Sequence, residues 1–106
     1  MMYERTLVIS KDHPALPGHF PGHPVVPGVL VLDEVIETLK EEYGQNLIVI
    51  GLPSVKLSSP LLPEEIFTIT VESEDLETAA FTCRAGARVI ASGSIRFRVG
   101  SGASCL

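Results

Sequence analysis

The 106-residue chain has only two cysteines, no internal repeat and no linker in mid-chain. Cys83 falls in a strand pattern, Cys105 is next to last in a Gly/Ser tail, and neither has a CxxC neighbour. This excludes a disulfide framework and a cysteine metal cage, and makes a reducing cytoplasm the simplest compartment. No stretch approaches the roughly eighteen apolar residues of a membrane span. The start, MMYERTLVISKD, lacks the apolar stretch of a signal peptide. Positive charge is scarce too: 8 Lys and Arg face 13 Asp and Glu, a formal net charge of -5. That balance argues against nucleic acid as a partner. An acidic carrier protein would need a local basic patch. Arg84, Arg88, Arg96 and Arg98 lie close enough along the C-terminal strands to make one, and a solvated strand face is the equal alternative.

What the chain does have is apolar content, 45% of residues, with mean hydropathy +0.32. The length fits a single domain, taken as residues 1–100 with a flexible tail at 101–106. A domain this small leaves much of its surface exposed, so one this oily is expected to hide sticky surface in a homo-oligomer.

Tyr3 to Ser10 reads as a short strand. Lys11 to Val26 is broken by six Pro and Gly positions, which forbid a regular helix; the His and Phe among them favour an ordered loop. Pro27 takes the place of a first helical residue. Val29, Leu32, Val35, Ile36 and Leu39 then recur at helical spacing up to Tyr43, and Gly44 suits the end. With Leu30 and Val31 added, the first turns are apolar on nearly every side and are expected to be buried all round. Asn46 to Leu57 is an apolar run broken by Gly51 and Pro53. Ser58 to Pro63 is a turn. Ile66 to Glu74, Thr78 to Ala85 and Arg88 to Val99 read as strands, the last with Val89, Ala91, Gly93, Ile95, Phe97 and Val99 inward. One long helix against a mostly antiparallel, curved sheet is an α+β arrangement.

The chemistry concentrates around the helix start. Asp33 directly follows Val29-Leu30-Val31-Leu32. A buried carboxylate is costly, and burial would favour its protonated form and suit it to general-acid work. The other reading is a helix acid pointing to solvent. His19 shares its loop with His13 and His23. Metal binding is disfavoured, because a Pro-interrupted loop gives no helical facing of ligands and no Cys is near; His13, before Pro14, reads as surface. Gly28 sits where helix N–H groups are free and could polarise a carbonyl as an oxyanion-hole donor. Equally, it could only relieve crowding there.

The run from His19 to Asp33 closely resembles the active-site segment of the bacterial 3-hydroxyacyl-carrier-protein dehydratases, H-F-x-x-x-P-x-x-P-G-x-x-x-x-[E/D]. His19, Phe20, Pro24, Pro27, Gly28 and Asp33 match it without a gap. Val55 to Pro63 resembles the family's V-K-F-x-x-P-V-x-P strand-turn. The resemblance implies the hotdog fold, a long helix wrapped by an antiparallel sheet, in dimers or larger assemblies with active sites between subunits. It implies that His19 takes the C2 proton of the acyl chain and that Asp33, from the neighbouring subunit, helps remove the 3-hydroxyl as water. The Gly28 N–H would hold the thioester carbonyl, with Phe20, Pro27 and Val29 against the substrate and the chain in an apolar tunnel. The implied partner is an acyl carrier protein bearing a 3-hydroxyacyl chain, and no cofactor is implied. The chain departs from the pattern in having Asp33 where Glu is commoner, Glu37 for Gln, His23 for Arg, no Gly after Pro63, and a short length. Two buried carboxylates one turn apart would further favour a protonated Asp33. These departures point to a compact, divergent branch, in fatty acid synthesis or in specialised lipid or polyene synthesis. The rival readings are an acyl thioesterase and a non-catalytic acyl-binding subunit.

Overall fold

The structure is a computed structural model that describes residues 2–10, 26–73, 75 and 77–100. The element order is β1 (Met2–Leu7), α1 (Gly28–Tyr43), β2 (Leu47–Leu57), β3 (Phe67–Ser73), β4 (Thr78–Ala85) and β5 (Arg88–Val99). The five strands form one sheet in the order β1-β3-β4-β5-β2, and every neighbouring pair is antiparallel. The α+β expectation holds. The proposed 101–106 tail lies outside the described residues.

Alternation produces the sheet's buried face. Phe67, Ile69 and Val71 of β3, Ala79, Phe81 and Cys83 of β4, and Ala91, Ile95 and Phe97 of β5 all turn inward. Against them α1 lays Val31, Val35, Thr38 and Leu39. Burying a side chain of this size contributes about 1.5–3 kcal/mol, so this layer holds the fold together. Thr38 escapes an apolar-period reading because its hydroxyl is satisfied: Oγ1 donates to the Glu34 carbonyl at 2.7 Å. It also accepts from Arg5 Nη1 at 3.2 Å, while Arg5 Nη2 donates to Glu34 Oε1 at 2.5 Å. Arg5 thereby ties the edge strand β1 to the second turn of the helix.

Several expectations shift. Pro27 is the residue before the helix rather than its first, and Gly28 begins it. The first turns are not buried all round: Val31 is buried but Val29 is 61% exposed. Strand β1 ends at Leu7, short of Ser10. The Asn46–Leu57 run is one strand with register shifts between Val49 and Gly51 and between Gly51 and Ser54, so Pro53 sits where a missing N–H costs no ladder bond. In β5 a bulge between Cys83/Arg84 and their partners places both Ile90 and Ala91 inside, while Val89 is half-buried and Val99 exposed. Gly93 is required, because a Cβ there would lie 2.0 Å from the Ser54 carbonyl oxygen.

The helix packs against β1, β2 and β3, yet β2 stays largely bare. Of the eleven residues of β2 only Leu47 is buried. Ile48, Ile50, Leu52, Val55 and Leu57 are all exposed large apolar residues.

Candidate functional site

The two sequence motifs meet at the start of α1. The Val26 N–H donates to the Leu61 carbonyl at 2.8 Å, an isolated bridge that pins the approach to the helix against the β2–β3 turn. The same turn is held from below: the Ser58 and Ser59 N–H groups both donate to the Ile90 carbonyl, at 2.9 and 3.3 Å. Leu57 lies so close to the helix that a Cβ on Gly28 would stand 2.8 Å from its Cδ1. Relief of crowding is therefore one role of Gly28. Its place in the first turn, after a Pro27 that gives no side-chain cap, also leaves the early N–H groups and the positive end of the helix dipole directed outward.

Between these segments lies an apolar cavity of about 200 Å³. Val26, Val31, Leu61 and Ile90 form its buried walls, and Gly28 and Leu57 stand at its rim. Leu57, Leu61 and Ile90 have no counterpart among the site residues expected from sequence. Leu57 and Leu61 lie in the second motif, so that motif was their signal. Ile90 gave none, because period-two reading sends it to the outer face.

Asp33 is exposed. Its apolar neighbours do not bury it in a single chain. Val29, four residues earlier, shares its flank of the helix and is not among the cavity walls. Glu37, four residues later, is also exposed and stands 3.8 Å from Lys40 Nζ. The burial expected for this pair of acids is thus absent within one chain. His19 and Phe20, with His13 and His23, lie outside the described residues, so no His19–Asp33 distance is given by this structure.

The four arginines do not make one patch. Arg88 donates to Glu65 Oε1 at 2.7 Å and to the Pro60 carbonyl at 3.2 Å. That contact holds the Glu65 carboxyl below its ordinary range. Arg84 lies in a hydroxyl-lined surface hollow with Glu4, Thr6, Thr68, Thr70 and Thr82. Arg96 and Arg98 lie beside Glu77 and Ile50 in a separate hollow. Cys83 is fully buried, and burial pushes its thiol up to about 12, which makes it an inert core residue. Among the described residues no helix is long and apolar enough to cross a membrane.

A family model described as the ApeI-like family, "ApeI dehydratase", matches residues 2–94. A protein named 3-hydroxyacyl-[acyl-carrier-protein] dehydratase FabZ from Streptococcus uberis is 30% identical over 123 residues, covering 95% of this chain and 88% of its own length. Its namesake from Acidiphilium cryptum is 33% identical over 90 residues and covers 76% of this chain; the chain spans only 54% of that relative. Among solved structures, the dehydratase heterocomplex ApeI:P from Xenorhabdus doucetiae superposes with TM-score 0.82 at 20% identity, over 92% of this chain and 87% of that one. The fluoroacetyl-CoA-specific thioesterase FlK superposes with TM-score 0.75 at 12% identity, over 94% and 85%. At such identities these superpositions establish the hotdog fold, shared by proteins of different activity.

Proposed function

The chain belongs to the ApeI-like dehydratase family, and from that premise we propose that it dehydrates a 3-hydroxyacyl thioester on an acyl carrier protein to the trans-2-enoyl thioester. The observation that carries the proposal is the joint position of Gly28 and Asp33 on α1. Gly28 stands at the rim of an apolar cavity, and Asp33 lies exposed five residues further along the same helix.

The reaction asks little beyond this. The Gly28 N–H and the helix dipole hold the thioester oxygen as negative charge develops on it, the kind of stabilisation worth about 3–4 kcal/mol per donor. His19 removes a proton from C2. Asp33 delivers a proton to the 3-hydroxyl, which leaves as water, and the electron pair of the broken C–H bond becomes the C2=C3 double bond. The cycle closes when the His19 proton passes to solvent and Asp33 takes one back.

The exposure of Asp33 in one chain fits a site completed by a second copy. Antiparallel pairing of two β2 edges about a two-fold axis would satisfy their free backbone groups and cover Ile48, Ile50 and Leu52, each worth roughly 1 kcal/mol when half-exposed surface is buried. His19 of one chain would then face Asp33 of the other. The thioesterase reading has only a fold-level likeness behind it.

The test uses a 3-hydroxyacyl carrier protein and follows loss of water by mass. Substitutions His19→Ala and Asp33→Asn should each lower turnover by about two orders of magnitude or more. Mixing the two variants should restore part of the activity, since a mixed dimer regains one intact site. Normal turnover in both single variants would overturn the dehydratase assignment. Two dead variants that stay dead when mixed would place both residues in one chain.

A further inference from the structure

We infer that the bulge at Ile90 closes the floor of the acyl cavity and sets the length of chain the site accepts; the inference rests on the dehydratase reading above. Strict alternation along β5 would put Ile90 on the opposite face from Ala91. The register shift turns both inward, as bulges beside functional sites often re-aim one side chain. The Ile90 carbonyl is meanwhile held by the N–H groups of Ser58 and Ser59. The side chain is thereby fixed under the β2–β3 turn and faces the cavity.

Exposure orients the cavity. Leu57 at one side is 59% exposed, whereas Ile90 is 2% exposed, and Leu61, Val31 and Val26 are equally deep. The rim therefore lies at Leu57 and Gly28, and the floor at Ile90 and Leu61. Those floor residues belong to the main hydrophobic core. They cannot step aside without opening a void there, which close packing resists.

A dry cavity of about 150 Å³ takes up one benzene, six carbons. By that yardstick, 200 Å³ accepts about eight chain carbons. With the carbonyl carbon held at Gly28 on the rim, chains up to about nine carbons fit, and longer ones meet Ile90. The class of substrate is thus a short to medium 3-hydroxyacyl thioester rather than a long one.

The experiment measures kcat/KM for dehydration of carrier-bound 3-hydroxyacyl chains of increasing length, with the parent and with Ile90→Ala. In parallel, calorimetry measures binding of acyl-pantetheine amides of the same lengths, which cannot turn over. The parent should fall by about ten-fold or more once the chain passes the floor, the usual weight of one or two misfitting methylenes. Ile90→Ala should raise the ratio of long-chain to short-chain kcat/KM, and of the matching affinities, by about ten-fold. Ile90→Val removes one methyl, folds more safely, and should move both ratios the same way by less. Unchanged ratios in turnover and binding for Ile90→Val and Ile90→Ala would overturn the inference. A parent that dehydrates no chain would overturn the dehydratase reading, while the amide affinities would still judge the floor.

Discussion

Strands β4 and β2 are both apolar in sequence, yet they end in opposite circumstances. Strand β4 is flanked by β3 and β5, and its Ala79, Phe81, Cys83 and Ala85 are all buried. Strand β2 is longer, lies at the sheet edge, and leaves Ile48, Ile50, Leu52, Val55 and Leu57 in solvent. The difference teaches that hydrophobicity marks what has to be covered, while topology decides whether the same chain covers it. For β4 the chain suffices. For β2 it does not, and a long apolar edge is a template for another strand.

The contrast can be broken most severely in the core. Phe81→Ala should cost about 3–5 kcal/mol, read as a large fall in the urea midpoint at any protein concentration. Gly93→Ala should come next, at about 1–3 kcal/mol, because its Cβ would meet the Ser54 backbone and push β2 from β5. Gly28→Ala meets only a movable Leu57 methyl and should cost less; equal losses in the two glycine variants would undo that distinction. Ile50→Lys should leave the unfolding of a dilute single chain nearly unchanged but weaken self-association by about ten-fold, seen by sedimentation. If it also lowers the midpoint as far as Phe81→Ala, β2 is part of the core after all. The smallest effect concerns Cys83. Its folded thiol is raised from 9.0 to about 12 by burial, so the native state binds the proton more tightly than the unfolded one. Its stabilising contribution is therefore full below pH 9 and declines between pH 9 and 12. Cys83→Ala should flatten that alkaline decline in urea midpoints, and an identical decline would assign it to other groups.

Much of the fold was legible. Thr78–Ala85 and Arg88–Val99 have the strand bounds their alternation predicts, and Pro27 with Gly44 bracket the helix within a residue. What escaped did so for identifiable reasons. The apolar crowd around Asp33 suggested burial, but part of it serves the face that one chain leaves bare. Thr38 was passed over because a buried hydroxyl with two partners has no place in an apolar count. Ile90 was illegible because a bulge adds one residue to the register and nothing in a two-fold pattern announces it. Of the candidate site, the matched motifs mark the helix start and the β2–β3 turn, which the fold brings together. The pairing of Asp33 with His19 lies outside what the described residues report.

The strand order carries one more consequence, for the path by which the chain reaches this state. The β3-β4-β5 meander is joined by short connections and can close early. The two outer strands must wait for partners far along the chain: β1 pairs with β3, and β2 with β5. Such non-local pairings are the slow steps of folding. Strand β5 is the last of the five to be synthesised, so on the ribosome β2 stays unpaired on both edges until β5 emerges. The nascent chain thus carries an apolar strand unpaired from the time β2 emerges until β5 does, and chaperone demand should track the apolarity of β2 rather than that of the finished core.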